Sequence, residues 1–93
     1  SKAEVMRVVN ARTPGLRYIY NKYLKSNPGF SGKVTLRFTI APGGNIIQIT
    51  IVSSTTGVSS FDQEVIQKVK SSFVFEKIKS GNSTVTIPFT FSE

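Results

Sequence analysis

The chain contains no cysteine, no histidine and no tryptophan, and only five of its 93 residues are acidic. Without cysteine there is neither a disulfide nor thiolate chemistry, and the redox compartment stays open, because small periplasmic domains often lack cysteine too. Without histidine the usual near-neutral acid–base group and the commonest metal ligand are gone. No apolar run is long enough to span a bilayer, and no signal-peptide pattern opens the sequence. The chain therefore reads as one soluble domain, 1–93, cut from a longer parent. At this length a single core is supported, hiding about 60–70% of the surface an unfolded chain exposes.

Twelve basic residues set against the five acidic ones give a net charge of +7. Arg7, Arg12, Arg17, Lys22, Lys25, Lys33 and Arg37 all fall in the first forty residues, whereas the stretch from Phe38 to Gln67 has no basic residue and carries Asp62 and Glu64. Such a field suits acidic proteins, anionic headgroups or nucleic acid, and it also serves plain solubility. The scarcity of acids argues against carboxylate catalysis. Asp62 and Glu64 are two apart, so a helix would not place them on one face, and both suit the first turn, where anions complement the helix dipole. The serines and threonines have no histidine to activate them, which leaves only lysine as a base. Gly43-Gly44 sits in a hairpin turn rather than a strand-to-helix phosphate loop, and no metal-ligand spacing occurs. The chain is expected to be non-enzymatic and to need no cofactor or metal.

Periodicity supplies the elements. Residues 1–12 read as an N-terminal extension, with AEVMRVVNA a short helix. Thr13 as a cap and Pro14 at a first helical position open a second helix. Leu16, Ile19, Tyr20, Tyr23 and Leu24 form its apolar stripe, and Asn27-Pro28-Gly29 ends it. In KVTLRFTI the period drops to two: Val34, Leu36, Phe38 and Ile40 face one way, and Lys33, Thr35, Arg37 and Thr39 the other. After the turn Pro42-Gly43-Gly44-Asn45 comes IIQITIVS, with Ile47, Ile49 and Ile51 on one face, making a hairpin. Ser60 reads as an N-cap with Gln63 as its capping-box partner. The helix that follows carries Phe61, Val65, Ile66 and Val69, and Phe73 and Phe75 pack as the chain leaves it. Ser80-Gly81-Asn82 is a turn before a closing strand from Thr84 to Phe91. The order α–β–β–α–β predicts an α+β, two-layer fold: a three-stranded antiparallel sheet, first strand central, with two helices packed on one face.

VTIPFTF, in that last strand, places Pro88 where a central strand would not tolerate it. An edge strand does. If Val85, Ile87, Phe89 and Phe91 turn their backbone to the neighbouring strand, then Thr84, Thr86, Pro88 and Thr90 turn theirs outward, where one missing N–H costs little.

The run SGKVTLRFTIAPGGNI, IVSSTTG, FDQEVIQKV, FVFEKIKSG and VTIPFTF resembles the TonB-like C-terminal domain from about Thr13 to Phe91. With PGLRYIYNKYL ahead of it, the chain is most similar to the gliding-motility-associated branch (AgmX/PglI type). One departure is Phe73, where the family usually has tryptophan. The resemblance implies a periplasmic domain whose parent is anchored in the inner membrane of a Gram-negative bacterium. It also implies an energy-transducing or motility role through an outer-membrane receptor or other envelope protein. Such a partner would add an extended segment to the last strand, at Thr84, Thr86, Pro88 and Thr90. The basic residues Arg17, Lys22, Lys25, Lys33 and Arg37 would steer acidic segments or rest against peptidoglycan or anionic lipid. The alternative is nucleic-acid binding, with Tyr18, Tyr20 and Tyr23 stacking bases among those cations. It is the weaker reading, because Tyr20 and Tyr23 fit the core stripe. The sequence leaves open which sheet edge is used and whether strand exchange makes a homodimer.

Overall fold

The computed structural model describes residues 2–77 and 81–93. It comprises α1 (Lys2–Leu24), β1 (Gly32–Ile40), β2 (Ile46–Ser54), α2 (Ser59–Ser72) and β3 (Ser83–Phe91). Of the turn expected at Ser80-Gly81-Asn82, Ser80 lies outside the described residues. The strands form one antiparallel sheet in the order β2-β1-β3, as the pattern predicted.

The first helix differs from expectation. α1 runs unbroken through Pro14, so Thr13 does not cap a second helix. Instead the Thr13 hydroxyl donates to the carbonyl of Val9, one turn back, at 2.9 Å. Pro14 is exposed and forfeits one intrahelical bond, but the apolar stripe carries straight across it. Val5, Val9, Leu16 and Tyr20 are spaced by four, seven and four residues, which keeps them on one face. Val9, Leu16, Ile19 and Tyr20 are buried, and Val5, Met6 and Val8 are partly so. Burial along that stripe outweighs the cost of one proline.

On β1 the buried row is Val34, Leu36, Phe38 and Ile40, as expected. β2 departs from its expected register. Thr39 pairs with Gln48 but Ile40 pairs with Ile46, and Thr35 pairs with Ser53 but Leu36 with Ile51. Ile47 and Val52 are therefore extra residues at two β-bulges, and they stand out at 51% and 46% exposure. The residues turned to the core are Ile46, Ile49 and Ile51, not Ile47. Ile46 and Ile49, an odd number apart, reach the same face only because the bulge absorbs a residue between them.

α2 begins at Ser59, with Val58 in the N-cap position and no side-chain cap, so Ser60 is not the cap. The helix entrance is organised by a buried pair instead. The Thr56 hydroxyl donates to Asp62 Oδ1 at 2.7 Å and accepts from the Val58 amide at 3.3 Å. Asp62 thus ties the preceding loop to the first turn while complementing the dipole there. Asp62→Ala is expected to cost about 1–3 kcal/mol in urea unfolding, because it removes the charged acceptor of the buried Thr56 hydroxyl and leaves that hydroxyl only its longer 3.2 Å contact with the Ser54 hydroxyl. An unchanged midpoint would show that the pair does not organise the helix entrance.

The core closes around rings. Tyr20 stacks on Phe91 at 5.7 Å, Phe61 meets Phe91 edge-on at 4.9 Å, and Phe73 meets Phe89 at 6.2 Å. Both helices and the segment leaving α2 are thereby fixed to the inner face of β3.

Candidate functional site

Each residue of a strand sends its N–H and C=O to the same side, and successive residues alternate. On β1 that alternation is fixed at both ends. The Lys33 carbonyl accepts from the Thr55 amide at 2.9 Å, and the Lys33 amide donates to the Thr55 hydroxyl at 2.8 Å. The Ala41 amide donates to the Asn45 carbonyl at 2.9 Å. Lys33 and Ala41 thus face β2, as do the odd-numbered residues between them, and Val34, Leu36, Phe38 and Ile40 face β3. Pairing between β1 and β3 is unshifted from Gly32–Phe91 to Ile40–Ser83. Val34–Phe89, Leu36–Ile87 and Phe38–Val85 are therefore ladder-bonded pairs, while Thr35–Pro88 and Arg37–Thr86 lie between them. Thr84, Thr86, Pro88 and Thr90 consequently turn their main chain to the open edge, and Pro88 withholds a donor only there.

The two edges of the sheet are unlike. β2 has its two bulges, which twist an edge and break its ladder. β3 is regular over all nine residues. Its core side, Ile87, Phe89 and Phe91, is buried. On the opposite face, which neither described helix covers, its side chains sit beside Lys33, Thr35, Arg37 and Thr39. There Arg37 Nε donates to the Thr86 hydroxyl at 3.3 Å, and the Thr39 and Thr84 hydroxyls are 3.0 Å apart.

The basic residues singled out in the sequence do not form one surface. Lys33 and Arg37 lie on the open face of the sheet. Arg17, Lys22 and Lys25 belong to the helical layer on the other side. Arg17 sits 5.1 Å over the Tyr20 ring and donates to the carbonyl of Ser92, just past β3. Lys22 is engaged with Glu64 at 2.8 and 3.0 Å, and Glu64 also accepts from the Tyr23 hydroxyl at 2.9 Å. Lys25 is exposed beyond the helix end. Of the three tyrosines only Tyr18 stands out, at 73% exposure. The Lys22 hydrogen bond holds the Glu64 carboxyl below its ordinary range, aided by Tyr23, and the same hydrogen bond raises the Lys22 ammonium. What the pair adds to stability is present at neutral pH, lost in acid as Glu64 protonates and lost in alkali as Lys22 discharges. Both groups are exposed, so the contribution is small.

The comparisons with known proteins fit this geometry. The profile of the Gram-negative bacterial TonB protein C-terminal family matches residues 26–92. The chain belongs to this family. Among solved structures, the chain is similar to the Helicobacter pylori TonB C-terminal domain, residues 179–285, in solution. Identity is 26%, the TM-score is 0.77, and the match covers 100% of this chain and 83% of that one. A shorter fragment of the same protein, residues 194–285, matches at 25% identity and a TM-score of 0.61, covering 76% of this chain and 75% of that one. No curated protein matches the chain. The TonB C-terminal domain is a non-enzymatic periplasmic protein-interaction module of energy transduction in Gram-negative bacteria, and it typically meets outer-membrane proteins.

Neither the bulges that set the two edges apart nor the placement of α1 beside β3 was foreseen. The unequal spacing of Ile46, Ile49 and Ile51 was the signal for the first. The stripe from Val5 to Tyr20 was the signal for the second.

Proposed function

We propose that this domain grips an outer-membrane partner by taking an extended segment of it as a fourth strand on the outer edge of β3. The observation that carries the reading is the contrast between edges: β3 presents a regular edge that no other described strand pairs, and β2 is interrupted twice. Thr84, Thr86 and Thr90 offer both a donor and an acceptor to that strand, and Pro88 an acceptor only. The missing donor admits a short guest strand while discouraging indefinite stacking of sheets. Main-chain bonds along one such edge give affinity of roughly micromolar order, suited to repeated capture and release. The parent would be anchored in the inner membrane and transmit force outward. PGLRYIYNKYL favours a motility-linked envelope machine.

The test is an amide chemical-shift titration of the labelled domain with extended segments of envelope proteins, and in parallel with a short single-stranded oligonucleotide at low and high salt. Shifts confined to residues 84–91 and the adjoining strand, induced by peptide and insensitive to salt, are expected. Shifts at Arg17, Lys22, Lys33 and Arg37 caused by the oligonucleotide and collapsing with salt would replace strand addition with nucleic-acid binding.

A further inference from the structure

The first half of α1 is more apolar than the sheet beneath it uses. Val5, Met6 and Val8 are only partly covered, and a groove of about 410 Å3 separates this part of the helix from β3. Lys2, Val5 and Met6 line one wall, and Val85, Thr86 and Ile87 line the other. A second groove of about 160 Å3 continues it, sharing Met6 and Ile87 and running past Pro88 to Phe91 beneath Asn10 and Thr13. The helix therefore lies over the inner face of β3 along most of its length, and the grooves beneath it reach Thr86, Pro88 and Thr90, whose main chain turns outward.

A fourth strand bonded to Thr84, Thr86 and Thr90 would lie about 4.8 Å outside β3. Every second side chain of that strand would rise toward the helices, into the groove, against Val5, Met6 and Ile87. The alternate ones would continue the open face. Arg37 leans across that face onto Thr86 and brings its guanidinium toward the same edge. Among the described residues, those lining the larger groove include one cation, Lys2, and no anion. Apolar contact in the groove, with Lys2 at its rim, and the positive charge of Arg37 on the open face define what fits.

Building on the strand-addition reading, we infer that the first half of α1 is the specificity wall of the docking site. The segment it admits belongs to another protein and alternates small apolar side chains, turned to Val5 and Met6, with acidic ones, turned to Arg37. A second copy of this chain is the poorer occupant. Its β3 carries threonine where acid is called for, and each copy brings a charge of +7, which opposes association.

The probes are three synthetic peptides added to the labelled chain: valine alternating with glutamate, valine alternating with lysine, and the valine–glutamate composition with all its valines in one run. The first is expected to shift the amides of Val5 and Met6 together with those of residues 84–90. The other two should bind at least about tenfold more weakly, one losing charge complementarity and the other its pattern of buried side chains. Met6→Glu should weaken the alternating valine–glutamate peptide about tenfold, and Met6→Leu should restore it. Val5→Thr, close to isosteric, should weaken it in the same direction with the least disturbance to the helix. Shifts on β3 with the first half of α1 silent, or Met6→Glu and Val5→Thr binding like the parent, would overturn the wall and leave strand addition standing. Equal binding of the lysine peptide would overturn the charge requirement. No shift on β3 with any of the peptides would overturn both readings.

Discussion

Ile87→Pro is expected to unfold the domain, whereas Thr86→Pro, one position earlier, should leave it folded and unable to dock a strand. The two residues are neighbours on β3 and differ in where their main chain points. Ile87 faces β1, opposite Leu36, and its side chain is buried in the core. Proline there removes a ladder donor, leaves the Leu36 carbonyl unpaired in a dry interior, and exchanges a large apolar side chain for a small ring. Loss of the side chain alone costs about 2–5 kcal/mol, and the stranded carbonyl adds about 1–3 kcal/mol. That sum approaches the whole stability of a small domain, about 5–15 kcal/mol. Thr86 turns its main chain outward and its exposed side chain to the open face, where its partner is Arg37. Pro88 already shows that an outward position on this strand accepts the ring. Val85, the residue before it, is extended, as a residue preceding proline must be. The stability loss should therefore stay near about 0.5–1 kcal/mol. Docking should fail, because adjacent outward positions 86 and 88 would then both lack an N–H. Thr86→Ala, which keeps the amide, should bind as the parent does. Circular dichroism and urea unfolding report the fold, and peptide titration reports the edge. Equal unfolding by both prolines would show that the alternation inferred from Lys33 and Ala41 is wrong. A folded Thr86→Pro that binds normally would remove the β3 edge from the mechanism.

Much of the architecture was legible because period is a physical consequence of element type. KVTLRFTI and VTIPFTF alternate because one face of each strand is buried, and Leu16, Ile19, Tyr20 and Tyr23 recur as they do because one side of a helix is. Even the proline of the last strand could be assigned to an edge, since only there is its missing donor harmless. The misreadings occurred where a local rule met a tertiary contact. Pro14 is a good first residue of a helix, and Thr13 a good cap, in isolation. What decides otherwise is the burial of Val9 on the same stripe as Leu16, which makes a continuous helix worth one lost bond. Ser60 and Gln63 spell a capping box, but the entrance to α2 is set by the Thr56–Asp62 pair, formed by residues six apart whose proximity depends on the loop path. The bulges at Ile47 and Val52 leave no local signature beyond unequal spacing, because they arise from fitting β2 to β1. The candidate site inherits both kinds of legibility. Its strand is readable from the chain alone. The second wall proposed for it, the first half of α1, is visible only once the helix is known to pass through Pro14.

Gly44 should be the least replaceable residue of the β1–β2 turn, and the reason lies far away in sequence. Its φ is +93°, a conformation that costs an L-residue with a side chain about 1–2 kcal/mol. Its amide donates to Ala41 at 2.8 Å, and its carbonyl accepts from the amide of Phe75, also at 2.8 Å. A Cβ built on Gly44 would fall 2.0 Å from the Phe75 carbonyl oxygen and 2.9 Å from its carbon. Those are backbone atoms, so no rotamer change relieves the overlap. Phe75 is in turn fixed, stacked on Phe38 at 5.9 Å, and Phe73 just before it holds Phe89 of β3. Adding one methyl group must therefore push the turn away from the segment that leads to β3, breaking a buried hydrogen bond and loosening two aromatic contacts. Gly44→Ala is expected to lose about 3–5 kcal/mol, the sum of conformational strain, overpacking and the lost bond. Gly43→Ala next to it, where a Cβ would meet only the Asn45 side chain at 3.3 Å, should stay within about 1 kcal/mol. Urea midpoints for the two variants check this directly, and at about 4–8 °C per kcal/mol the melting temperatures should separate widely. If Gly44→Ala retained the parent's midpoint, the turn would not be clamped to Phe75. The segment from Phe73 to Phe75, which precedes β3 and its proposed docking edge, would then need another anchor.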